Sequence, residues 1–375
     1  MVKFEVEAIS NLQNTTLRAG IIKDGMIEIH TPARVLNSAE FDNGKKIESK
    51  GLGISQFPHQ VFEITKFMKP ERLVEFSRNA DISATILKQV KRISDAAGAG
   101  RLTIFHPVIS RNPISDEINT KLIELQLASN IDLIAVIDEY GSSVPKFVNR
   151  LQSSIKRIND SEQYAEPMPM IRIDSDYNIF GEKIDAAINE GVKVINIVYA
   201  PIDKNFANYS YLINLTKNKG KKVWIHMSEV PRRLYKKIPA MHLLPLVGID
   251  SYALNSRPFP MGLIKRKEVA VKRFDNISLR FLTLPEHIKL YGDNPKCNCF
   301  VENRQKLSEV LSVFQAAELL SPAIACHEAI SSYYELQNFR RAIIQKRARE
   351  YLSGKENLIY PIKKLLKIDL AQQQL

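Results

Sequence analysis

Short apolar runs rich in β-branched residues recur through the middle of the chain, at Leu102–Phe105, Leu133–Ile137, Met170–Ile173, Val194–Tyr199 and Val223–Ile225, with a further one at Ile249–Leu254. Between them, Ile118–Ala128, Val148–Ile158, Ile184–Glu190 and Tyr211–Lys217 carry apolar residues at helical spacing. Strands that are apolar on both faces and alternate with helices predict a parallel sheet with crossover helices. A βα repeat of roughly 25–35 residues, sustained over consecutive units, favours a closed (β/α)8 TIM-type barrel over an open doubly wound sheet. No G-x-G-x-x-G follows any of these runs, which removes the main support for dinucleotide binding.

The ends break the alternation. The first 60 residues read as antiparallel β: Arg18–Lys23, an Asp24-Gly25 turn of the hairpin type, then Met26–His30 closed by Thr31-Pro32. The last stretch reads as helical, with Lys306–Ala317 and Tyr333–Tyr351 both amphipathic and the latter rich in Arg between Arg340 and Arg349. With no Gly/Ser linker, the economical division is a β cap plus barrel over residues 1–295. A C-terminal helical appendage over 296–375 then belongs to the same structural unit.

The composition is that of a globular chain, 45% hydrophobic and 25% charged over 375 residues, and excludes a collagen, a disulfide miniprotein and a disordered tail. The net charge of +12 points toward a polyanionic partner, since cations that neutralise phosphates release condensed counterions. Three cysteines cannot build a disulfide framework and predict a reducing compartment. The N-terminus lacks a signal-peptide core, and no apolar run approaches the roughly 20 residues a bilayer span needs. The expectation is a cytoplasmic protein with no membrane partner.

In a barrel, chemistry gathers where the strands end. Polar residues sit at those positions: His106, Asp138-Glu139, Asp174, Asp176, His226 and, at the start of the Ile249 segment, Asp250. A second constellation is metal-like. Cys297 and Cys299 form a C-x-C pair able to share one soft ion, with Zn²⁺ the usual occupant, and Cys326-His327 and Glu302 offer further ligands. Its distance in sequence from the strand ends argues for a closed structural site.

Cys297-Asn-Cys299-Phe-Val-Glu302, a helix, then Cys326-His327-Glu-Ala and an Arg-rich helix resemble the zinc-binding region of tRNA-guanine transglycosylases, whose pattern is C-x-C-x-x-C followed by His. Other segments match in the same order. Leu17-Arg-Ala-Gly20 and Ile29-His-Thr-Pro-Ala33 resemble the family's opening hairpin. Ile123-Glu-Leu-Gln126 through Asp132–Glu139 resembles its helix and acid-ended strand, and Gly248-Ile-Asp250-Ser-Tyr-Ala-Leu254 resembles the nucleophile strand. The resemblance implies a barrel enzyme that exchanges guanine in tRNA or DNA for a 7-deazaguanine. An Asp attacks the anomeric carbon, a second acid moves protons, and a third carboxylate reads the base. The target base leaves its stack to be reached. A homodimer formed through the zinc region is also implied.

Carried over residue by residue, the resemblance makes Asp138 the base reader and Cys297, Cys299 and His327 zinc ligands. Glu302 stands where a third Cys is expected, with Cys326 as the alternative ligand. The nucleophile strand usually reads G-[IV]-D-x-F-D. Aligned without gaps its last Asp falls on Ala253, so Asp250 takes the role only if the strand is shorter here. The family's D-S-G-G is missing. Ser94-Asp95-Ala-Ala-Gly98 is a loose echo, leaving Asp95 and His106 as candidates for proton transfer. Two expectations stand side by side: an active transglycosylase of a divergent, even DNA-acting, branch, and a catalytically degenerate paralogue that binds nucleic acid or partners an active subunit.

Overall fold

A computed structural model describes residues 2–12, 15–53, 55–97, 100–109, 114–217, 222–232, 234, 240–255, 272–297, 299 and 306–367. Eight parallel strands close a barrel: β4 (Ala33–Asn37), β5 (Val61–Met68), β6 (Leu102–Ile109), β7 (Leu133–Ile137), β8 (Glu166–Arg172), β9 (Val194–Val198), β10 (Trp224–Val230) and β11 (Ser251–Leu254), with β11 returning to β4. Crossover helices surround it. They include α1 (Ser38–Glu48), α2 (Pro70–Arg78), α3 (Ala80–Ala97), α4 (Asp116–Ala128), α5 (Val144–Asn159), α6 (Tyr177–Asn189), α7 (Phe206–Lys217) and α8 (Ala240–Leu246). Local chemistry starts several of them. Ser115 and Ser143 cap α4 and α5, Asp176 caps α6, and Asn37 with Glu40 forms a capping box on α1.

The N-terminal antiparallel sheet is three-stranded, in the order β1 (Lys3–Leu12), β2 (Thr15–Asp24), β3 (Ile27–Thr31). The expected hairpin is present, with Gly25 at φ 58° in its turn. The antiparallel reading of the first 60 residues is corrected beyond Pro32: Ala33–Asn37 is already the first barrel strand and α1 follows it. After the barrel come the hairpin β12 (Arg273–Asp275) and β13 (Arg280–Leu282), then α9 (Leu284–Tyr291), α10 (Leu307–Ala316), α11 (Leu320–Ile344), α12 (Ala348–Ser353) and α13 (Glu356–Leu366). The single helix expected over Tyr333–Tyr351 is two. α11 begins earlier, so that it contains Cys326 and His327, and it stops at Gln345 before Lys346 at φ 59°.

The cap, barrel and C-terminal helices share one core. Leu17 and Ala19 of β2, Ile225 of β10, Phe180 of α6, and Leu336 and Phe339 of α11 fall in a single apolar cluster. No helix among the described residues is long and apolar enough to cross a membrane.

Candidate functional site

The ladder registers decide which side chains enter the barrel. Glu63 lies between Asn37 and Ile104, Thr65 beside His106, and Asn196 between Met170 and His226. Since side chains alternate faces, each of these strands sends every second residue inward. Followed round the barrel, the registers set Val35, Ile104, Met168 and His226 at one level. Glu63, Ala135, Asn196 and Ala253 come next, and Asn37, His106, Met170 and Ser228 follow toward the strands' C-terminal ends. Barrels of this type are usually filled by bulky branched residues, four per layer. Here the second layer has two alanines, a carboxylate and a carboxamide, and the third adds an imidazole and a hydroxyl. The upper interior is therefore polar, with two small side chains in its second layer.

Hydrogen bonds order these groups. Trp224 Nε1 donates to Ser251 Oγ at 2.7 Å, and Ser251 Oγ is hydrogen-bonded to His226 Nδ1 at 2.9 Å. His226 Nε2 stands 3.3 Å from Glu63 Oε2, while Thr65 donates to Glu63 Oε1 at 3.1 Å. Nearer the opening, His106 Nε2 stands 3.4 Å from Glu229 Oε1. Glu229 holds the left-handed φ of 57°, a conformation that costs a non-glycine residue about 1–3 kcal/mol and that clusters at functional sites. At the rim the Arg172 guanidinium pairs with Asp174 at 3.0 Å and lies 5.7 Å from the centre of the Tyr140 ring.

Of the residues singled out in the sequence, His106 and His226 are in this interior, and the acids expected to act on the substrate, Asp250, Asp95 and Asp138, are elsewhere. Asp250 precedes β11 and so lies at the N-terminal, capped end of the barrel. Arg18 of β2 grips its carboxylate through two nitrogens, and the Ile225 N–H donates to it at 2.8 Å. Burial pushes the Asp250 carboxyl up and Arg18 opposes the shift. This pair ties the β cap to the barrel floor. Asp95 is exposed in the last turn of α3, which leads into the start of β6, again at the floor. Asp138 follows β7, and both its oxygens are taken by Lys183 of α6, at 2.7 and 3.0 Å, with Ser142 donating at 2.7 Å. Its burial raises the carboxyl and Lys183 counters it. Ala253, which the gap-free resemblance sets opposite an Asp, faces inward and is fully buried.

The C-x-C pair behaves as expected of a metal site. Cys297, Cys299 and His327 bring their ligand atoms within 4.8 Å of one another, His327 Nδ1 standing 3.4 Å from Cys297 Sγ and 3.2 Å from Cys299 Sγ. His327 Nε2 donates to the Phe274 carbonyl at 2.7 Å, which leaves Nδ1 as the coordinating nitrogen, in the second-sphere arrangement that metal-bound imidazoles adopt. The Cys299 thiol, His327 and Arg273 hold Cys297 toward the thiolate, while burial opposes it. Two sulfurs and an oriented imidazole fit a soft divalent ion. Cys326 lies outside this group. Its Sγ is 3.9 Å from the Glu40 carbonyl of α1, and burial pushes its thiol up to about 12. Successive residues of a helix point about 100° apart, so Cys326 and His327 cannot face the same ion. Glu302 lies outside the described residues.

Glu63, Glu229 and Asn196 were not anticipated. The signal for Glu63 is the polar residue at the centre of Val-Phe-Glu-Ile-Thr, where the strand alternates instead of running apolar. Asn196 carries the same mark, at the centre of Val-Ile-Asn-Ile-Val, whereas Glu229 has none, since its partner His106 comes from across the barrel. No family model matches the chain, and no curated protein matches it.

Proposed function

We propose that the chain is a base-exchange transglycosylase of the tRNA-guanine transglycosylase kind, replacing guanine in tRNA or DNA with a 7-deazaguanine at the C-terminal end of the barrel. The observation that carries the reading is the stacking of two carboxylate–imidazole pairs, Glu63–His226 and Glu229–His106, in the barrel interior. The capped barrel and the Cys297, Cys299, His327 cluster support it.

Glu229 takes the nucleophile's role that Asp250 and Ala253 do not fill. Its oxygen bonds to the anomeric carbon as the bond to guanine breaks, and the departing base takes a proton from His106. The incoming base returns a proton to His106 and displaces Glu229, with net retention. Glu63 and His226, oriented by Thr65 and Ser251, supply a fixed anionic floor beneath the sugar. The Cys297, Cys299 and His327 donors would hold Zn²⁺ in a structural role, tying the segment after α9 to α11, with no part in the exchange. The positive surplus serves the nucleic-acid backbone.

Labelled guanine or a 7-deazaguanine incubated with the protein and either tRNA or duplex DNA should enter one of them, and incorporation into neither overturns the reading. Glu229→Gln should lower incorporation by roughly 100-fold or more with the circular dichroism spectrum unchanged. The buried Ala253 favours a second reading, a binding subunit that has lost the nucleophile. Salt-sensitive binding of tRNA or DNA without exchange would select it.

A further inference from the structure

Three polar groups inside the barrel lack a hydrogen-bond partner among the described residues: both amide atoms of Asn196, Ser228 Oγ and His106 Nδ1. All three residues are fully buried, and the registers point them into the same two layers, above Ile104 and Met168 and beside Ala135 and Ala253. Buried amides are almost always satisfied, because leaving one unpaired forfeits its hydration. Here neighbouring strands supply nothing to Asn196: Met170 flanks it on one side, and on the other His226 is committed to Ser251 and Glu63.

We propose that Asn196 is a specificity-determining residue whose carboxamide reads the lactam edge, the ring N–H beside a carbonyl, of the exchanged base. The inference rests on the base-exchange reading. A primary amide offers a donor and an acceptor side by side, and a lactam presents the complementary pair, so the two close a ring of two hydrogen bonds. The two alanines at the same level put the smallest side chains of the interior beside Asn196, where a planar ring would lie, and Ser228 and His106 Nδ1 are one layer nearer the opening to meet its remaining polar atoms. Asp138, held by Lys183, is left out of the recognition. One consequence separates this from reading by a carboxylate. An acid selects two adjacent donors and therefore demands a 2-amino group, whereas Asn196 is indifferent to it.

The test is competition binding of guanine, hypoxanthine and unsubstituted purine to the full-length protein, with incorporation into tRNA and DNA measured on the same samples. Guanine and hypoxanthine should bind within about threefold of each other and about tenfold or more tighter than purine, which lacks the lactam. Asn196→Leu, which keeps the γ-branched shape without the polar atoms, and Asn196→Ala, which cannot overpack, should both level the three. The inference is overturned if either folded variant keeps the wild-type ranking, if hypoxanthine groups with purine, or if the wild type binds none of them. Selective binding without incorporation leaves Asn196 in its role and removes the exchange reading. Incorporation with an unchanged ranking in the variants does the reverse.

Discussion

Arg18 and Asp250 form a fully enclosed ion pair in which each charge depends on the other for its hydration. Arg18→Met would strand a carboxylate between the cap and the barrel floor, and should cost about 3–5 kcal/mol in urea unfolding. The double change Arg18→Met with Asp250→Leu should recover most of that loss, because an apolar pair of similar volume needs no solvation. Base exchange should persist in the folded double variant, and its loss there would restore Asp250 as nucleophile. A second buried acid gives a pH signature. Burial pushes the Glu335 carboxyl up, but His242 and Lys355 outweigh it and bring it down to about 2. A carboxyl depressed in the folded state contributes fully above its unfolded value near 4.5 and loses that contribution as pH falls toward 2. Stability should therefore fall through that window, and Lys355→Met should flatten the decline.

Among elements, legibility followed the faces a strand presents. β6, β7, β8 and β9 are apolar along most of both faces, His106 and Asn196 being polar interruptions of β6 and β9, so they stand out in the sequence. β4 and β5 do not, because Arg34 and Glu63 interrupt them: Arg34 is met by Glu40 of α1 and by the Glu328 carbonyl of α11, and Glu63 by His226. Glu40 is close in sequence, but the Glu328 carbonyl and His226 are far along the chain and leave no local pattern. The turn from α8 into β11 depends on Gly248, at φ 86°, where an added Cβ would meet the Leu212 carbonyl oxygen at 2.8 Å. Gly248→Ala should destabilise by at least about 1–3 kcal/mol, read as a lowered thermal midpoint. The C-x-C spacing was legible because the two sulfurs are local. That Cys326, beside His327 in the chain, stands outside the group was settled by the helical phase of α11. Chelator treatment of metal-loaded protein should lower its thermal midpoint, and His327→Ala should remove that dependence.

For the whole molecule, the charge of +12 remains a statement about partners and not about fold. The Arg-rich stretch is divided between α11 and α12, and Arg340 pairs with Glu7 of β1, so it does not form one continuous basic face. Nucleic-acid affinity should nonetheless fall steeply as salt rises, with a log–log slope that counts the phosphates neutralised. The sequence by itself determined the alternating βα architecture, the N-terminal hairpin and the paired cysteines, since each is written in residues close together along the chain. Only the tertiary structure decided which acids face the barrel interior. Closing eight strands brings Glu63 to His226 and Glu229 to His106 from more than a hundred residues away. The same closure turns Asp250 to the floor, where a one-residue difference in strand phase reverses the face a side chain occupies.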